Sequence, residues 1–365
     1  MFCVDINKTK TQKNMRILVI NPGSTSTKMA VVENGEPILI KVIRHAAEEL
    51  APYAKIIDQF DFRRQMIVSE LENAGIPIKF DAIVARGGLT KPVAGGVYAV
   101  DENMIQATYA SDHQHACDLG CVIAREIAKG LGCPCYIADP VVTDELNDYA
   151  RICGLKQFKR QSIWHALNQR AIARRYAKEH GKRYEDLNLI VAHLGGGISV
   201  AAHEHGRAVD VNNALDGEGP FSPERAGSLP ARDLVDMCFS GEYTKDEIVK
   251  MISGKGGVNS LLGTTDMLEV DKRVQAGDKE AKLVADAMIY HIAKAIAEKG
   301  AVLCGKIDAI ILTGGIAYWQ YLVDELKKRI DWMAPVHVYP GEDEMSALAA
   351  NAAAALNEEI EVMKY

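Results

Sequence analysis

Two stretches of this chain, 172 residues apart, share one plan: RILVINPGSTSTKMAVVENGEPI at residues 16–38 and NLIVAHLGGGISVAAHEHGRAVD at residues 188–210. In each, an apolar run ends in a polar residue (Asn21 or His193) and a glycine turn, and a second apolar run leads to a hairpin signal, Asn34-Gly35 or His205-Gly206. The offset is 172 between Gly23 and Gly195 and 171 between Gly35 and Gly206. A further pair, FDAIVARGGL at 80–89 and IDAIILTGGI at 307–316, reads as buried strands ending in Gly-Gly. Each follows helical material closing on glycine, FRRQMIVSELENAG and AKLVADAMIYHIAKAIAEKG. Helices are also expected in WHALNQRAIARRYAKEHG (164–181) and SALAANAAAAL (346–356). A repeated strand–turn–strand unit with helices between predicts an α/β chain of two duplicated domains facing each other across a cleft.

Length agrees, since 365 residues exceed one typical core. The net charge of -7 argues against a nucleic-acid surface. No apolar run is long enough to cross a membrane, and residues 1–14 lack the apolar core of a signal peptide, so they read as an extension outside the fold of a cytoplasmic protein. The eight cysteines include no C-x-x-C pair and read as buried free thiols. The pairs His203/His205 and His113/His115 lack a third ligand, and a solvated hairpin or loop explains them.

Turns rich in glycine and hydroxyls present backbone N–H groups to anions, and glycine permits close approach. Asn21, Ser24, Ser26 and Lys28 would form one phosphate turn and His193, Gly195, Gly196 and Gly197 a second. Lys28 reads equally as a solvated strand residue. Gly314-Gly315 would end a strand and open a helix carrying Tyr318 and Trp319, suited to an adenosine. Neither a P-loop nor a G-x-G-x-x-G dinucleotide turn occurs.

The ordered set NPGSTSTK, ARGG, HLGGGIS, TGGI and EDEMSALA resembles the acetate/butyrate kinase family, within the superfamily of acetate and sugar kinases, heat-shock chaperone ATPases and actin. The resemblance runs from Met15 to Leu356, and HLGGG with the compact length resembles the butyrate branch more than the acetate branch. It implies two actin-like ATPase domains, each a mixed five-stranded sheet flanked by helices. Their expected bounds are 15–150 on the acid side and 151–343 on the nucleotide side, with a helix at 344–357 packing back on the first. It also implies reversible phosphoryl transfer, butanoate plus ATP giving butanoyl phosphate plus ADP, with Mg2+ as cofactor and a homo-oligomer of two or more copies. Acetate, propionate or branched acids, a sugar, or ATPase activity alone are the alternatives.

The resemblance also implies residue roles. Arg86 grips the carboxylate or the transferring phosphoryl, Arg225 is the second arginine, and His165 hydrogen-bonds the phosphoryl. Asp139 lies near metal and phosphate, Glu344 with Asn21 holds magnesium, and His115 is a second histidine with a structural reading beside Asp112 and Asp118. Chain departures surround Arg225 and follow His165.

Overall fold

The computed structural model describes residues 14–111 and 115–365. All but Asn14 of the expected extension, and Asp112 and His113, therefore lie outside the described residues. Twelve strands are described. The first six are β1 (Arg16–Pro22), β2 (Ser26–Glu33), β3 (Glu36–Arg44), β4 (Ala82–Arg86), β5 (Val97–Ala99) and β6 (Cys135–Ala138). The others are β7 (Asn188–Leu194), β8 (Ile198–Glu204), β9 (Arg207–Val211), β10 (Ala309–Gly314), β11 (Val336–Pro340) and β12 (Val362–Met363).

Two compact units emerge. Among the described residues, one holds those up to Leu89, those within Gly96–Ala138 and Met345–Tyr365; the other holds Thr90–Gly95 and Asp139–Glu344. The second unit has the expected five strands, in the order β11-β10-β7-β8-β9. The first contains the same arrangement, β6-β4-β1-β2-β3, but extends it with β5 and β12 to seven strands, which corrects the expectation of five. Strands of two or three residues carry too short a pattern to be read from sequence.

The duplication extends to register. In the first sheet Ile17 faces Ala82 across a parallel pair, and in the second Leu189 faces Ala309, the positions that the two repeats equate. Asn21 pairs with Lys28, as His193 pairs with Ser199. β1 and β7 each have a parallel neighbour, and their long buried runs suit strands covered on both faces.

Helix Phe60–Asn73 buries Arg63, Ile67 and Leu71 at four-residue spacing, one face of the helix. Helix Leu119–Leu131 packs on β4 and stops at Gly132, whose φ of 68° is left-handed. In the second unit, helix Lys279–Val302 begins where the Asp278 carboxylate accepts N–H groups from Glu280 and Ala281. Its buried face (Met288, Ile289, Ile292, Ile296) joins Ile190, Val200, Ile310 and Leu326 in the core. Of the seven described cysteines, all free, only Cys117, Cys121 and Cys135 are buried, a correction to the general reading of buried thiols.

Candidate active site

In the first unit, Asn21 is buried at the end of β1 and Lys28 is exposed on β2 opposite it. Ser24 is exposed and Ser26 half-buried in the turn between them. Beneath the turn lies a residue that sequence reading missed. Arg63 is fully buried, and its Nη1 donates to the Gly23 carbonyl (2.7 Å), the Ser26 carbonyl (3.1 Å) and Thr27 Oγ1 (3.2 Å). Its Nη2 donates to the Ser24 carbonyl at 3.1 Å, and Gln59 Oε1 takes Nε at 3.0 Å. Burial lowers its pKa to about 10, still cationic at neutral pH. The turn thus has three carbonyls clasped from below by one cation, which fixes its shape.

Arg86 is the half-buried last residue of β4. The segment after it is held by Asp118, whose carboxylate accepts the Leu89 N–H at 2.5 Å and the His115 N–H at 2.7 Å. Gly120 leaves room for the Arg86 carbonyl, 2.5 Å from where a Cβ would stand. His115 Nδ1 lies 3.0 Å from Cys117 Sγ. Burial and then Asp118 push that thiol up to about 12, so it is no nucleophile at neutral pH.

The second unit gathers most of the other candidates. His193 is buried at the end of β7, its ring stacked on that of His165, centroids 3.8 Å apart and 9° from parallel. His165 precedes helix Ala166–Glu179. His193 Nδ1 lies 2.9 Å from Asn168 Oδ1, and its Nε2 lies 3.3 Å from Glu342 Oε1. The turn Gly195–Gly197 is closed by a bond from the Gly195 N–H to the Gly197 carbonyl, 3.2 Å. The Arg225 guanidinium lies against Gly197 and donates to the Ala214 carbonyl at 2.5 Å. Gly314, at φ 92°, exchanges backbone bonds with Gly341, and a Cβ there would strike the Leu194 backbone. Gly315 opens a 3-10 turn (Gly315–Tyr318) and the helix starts only at Gln320, a correction to the expected direct helix start. The reciprocal bonds to Gly341 hold the chain in strand-like pairing there.

A cavity of about 530 Å³ adjoins the turn, lined by Gly195 and Gly196 together with Gly315, Tyr318, Asp271 and Glu342. That is within the range of about 300–1,000 Å³ usual for small-molecule sites. Trp319 Nε1 donates to Asp271 Oδ1 at 2.6 Å, tying one wall to the other. Glu344 is buried at the first turn of helix Glu344–Leu356.

Asp139 is 1% exposed, with φ of 39°. Its Oδ1 lies 2.9 Å from Arg170 Nε and its Oδ2 accepts from Arg174 Nη1 at 3.1 Å. Arg170 also donates to both oxygens of Glu145. His203, expected in a solvated hairpin, is instead fully buried; His205 does sit in the turn, at φ 49°. Among the described residues no three His, Cys, Asp or Glu side chains form a metal cluster, and no helix is long and apolar enough to cross a membrane. Magnesium takes only oxygen donors and one or two protein carboxylates, so Glu344 fits it in kind.

Known proteins share this fold and much of this sequence. Residues 155–331 match the model of the Acetokinase family. A protein of Bacteroides thetaiotaomicron named "probable butyrate kinase" is 59% identical over 96% of this chain and all of its own length. The crystal structure of an acetate kinase from Porphyromonas gingivalis superposes with a TM-score of 0.78 at 18% identity, covering 94% of this chain and 100% of that one. A propionate kinase from Francisella tularensis gives 0.72 at 18% identity, over 92% and 98%. At that identity the structures speak for the shared fold, the actin-like ATPase fold.

Proposed function

The chain belongs to the acetokinase family and is a phosphotransferase acting on carboxyl groups, and we propose that its acceptor is butanoate or a closely similar short-chain acid, with ATP as donor. The observation that carries this reading is the continuity of the Gly195–Gly197 turn with the cavity lined by Gly315 and Tyr318, with Arg225 and the His165–His193 stack on the same turn. A glycine turn beside a cavity of that size would, in this reading, hold the phosphates, with the Arg225 guanidinium where phosphoryl charge would spread.

In this reading Tyr318 and Gly315 take the adenosine, and Gly195 and Gly196 approach the phosphates. Asn21, Ser24 and Ser26, on the turn shaped by Arg63, offer donors suited to a phosphate. Arg86 binds the acid's carboxylate, one oxygen of which attacks the γ-phosphorus as the bond to the bridging oxygen of ADP breaks. No general base is needed, because a carboxylate is already ionised at neutral pH. Arg225 neutralises the moving phosphoryl and His165 orients it by a hydrogen bond. Magnesium bound with ATP would be held by Glu344 and would offset the phosphate charge. Asp139 is left out of the reacting set: a carboxylate between two guanidinium groups serves to position them.

Hydroxylamine trapping of acyl phosphate, with ATP, Mg2+ and acids from acetate to valerate including isobutyrate, tests this. An optimum at butyrate is expected. An optimum at acetate refutes the acceptor, and no hydroxamate from any acid refutes the reaction.

A further inference from the structure

Behind His165 runs a chain of buried polar groups that the transfer reaction does not itself use. Ser199, Gln169 and His203 are all fully buried, and Tyr184 nearly so. The contacts run from His165 Nδ1 to Ser199 Oγ (2.9 Å), then to Gln169 Nε2 (2.8 Å). They continue from Gln169 Oε1 to His203 Nε2 (3.1 Å) and from His203 Nδ1 to the Tyr184 hydroxyl (2.6 Å).

The direction of every proton in this chain follows from one anchor. Gln169 Nε2 also lies 3.0 Å from the Ser199 backbone carbonyl, which can only accept. The amide is therefore oriented with its NH2 group toward Ser199 and its oxygen toward His203. Since Gln169 Oε1 is an acceptor, His203 Nε2 must carry a proton. Burial first, then Arg170 and Arg174, lowers the pKa of His203 to about 3, so its ring is neutral and Nδ1 accepts the tyrosine proton.

At the other end, Ser199 Oγ receives a Gln169 N–H and, at 3.4 Å, the backbone N–H of His165. A hydroxyl has two acceptor sites and one proton. With both acceptor sites taken, the hydroxyl proton is what remains for His165 Nδ1. The four bonds then point one way, Tyr184 to His203 to Gln169 to Ser199 to His165, an arrangement in which each bond polarises the next.

We propose that this one-way chain holds His165 as the neutral tautomer protonated at Nε2, with Ser199, Gln169 and His203 as positioning residues. Its bearing on catalysis rests on the functional reading above, because a histidine locked this way offers a hydrogen-bond donor, and not an acceptor, to a phosphoryl oxygen. The tautomer itself does not depend on that reading.

Long-range proton–nitrogen NMR correlation on protein labelled with 15N-histidine tests it, the His165 signals being assigned by their loss in His165→Gln. The expected result is a pyrrole-type Nε2 and a pyridine-type Nδ1 at neutral pH in the wild-type protein. Ser199→Ala should then show mixed tautomers and a turnover about 10–100-fold lower, the usual scale for removing a partner that orients a histidine, with KM for ATP within about twofold. A wild-type His165 protonated at Nδ1, or tautomer signals unchanged in Ser199→Ala, overturns the proposal. The expected tautomer in a protein that phosphorylates no acid supports the chain and refutes the functional reading alone.

Discussion

Gly197→Ala tests the role of Arg225 without altering Arg225. A Cβ built on Gly197 would overlap Arg225 Nη1 and lie 2.7 Å from its Cζ. Non-bonded carbons settle at about 3.5–4.0 Å, so the guanidinium must retreat by about 1 Å. Gly197 does not have the left-handed φ that would penalise alanine, so the backbone tolerates the change. The conflict falls on the far end of a flexible, half-buried side chain. Stability should therefore change by less than about 1 kcal/mol. A misplacement of about 1 Å in a charge-stabilising group costs on the order of 10²-fold in rate. Turnover of butyrate in the hydroxamate assay should fall by that factor, while ATP binding measured by calorimetry should hold, since Gly197 does not line the nucleotide-sized cavity. If Gly197→Ala turns over within about threefold of wild type and melts at the same temperature, Arg225 does not act on the transferring group.

Three further outcomes follow from the same geometry. Asp139→Asn leaves the buried Arg170 short of a partner and should destabilise the fold by about 3–5 kcal/mol in urea unfolding; a loss under about 1 kcal/mol would show the ion cluster to be incidental. Tyr318→Ala should raise KM for ATP about tenfold, the scale of one lost stacking contact, and leave KM for the acid unchanged; an equal rise in both would remove the tyrosine from the nucleotide site. His203 has its folded pKa lowered from 6.5 to about 3, so its contribution to stability is complete above about pH 6.5 and is lost as pH falls toward 3. Between these values the unfolded chain binds the extra proton, and stability should drop by up to about 1.4 kcal/mol per pH unit more steeply than in His203→Gln. Parallel slopes for the two proteins would contradict the buried neutral ring.

Much of the fold was legible because it repeats. The patterns around Asn21 and His193 share one order of apolar, polar and glycine residues, and the structure pairs them with Lys28 and Ser199 in equivalent registers. Glycines were legible for a similar reason: a close approach, as at Gly197, or a left-handed φ, as at Gly314, leaves the residue type itself as the trace. Arg63 left a weaker trace, a cation on the apolar face it shares with Ile67 and Leu71. A charge at such a position signals a buried partner, but the partner carbonyls lie 37 to 40 residues away and nothing local names them.

The alternation of strand and helix, the doubling of the strand–turn–strand unit and the residue types at the turns follow from amino-acid order alone, because these depend on periodicity and on the backbone freedom of glycine. Which polar groups satisfy one another is settled only by packing. Asp139 reaches Arg170 and Arg174 over more than 30 residues, and Ser199 finds His165 across a separation of 34. Burial makes such pairings obligatory, since an unmatched polar group in the interior costs more than a bond returns. Which partner is chosen depends on chain segments brought together by packing, and that choice leaves no period in the sequence.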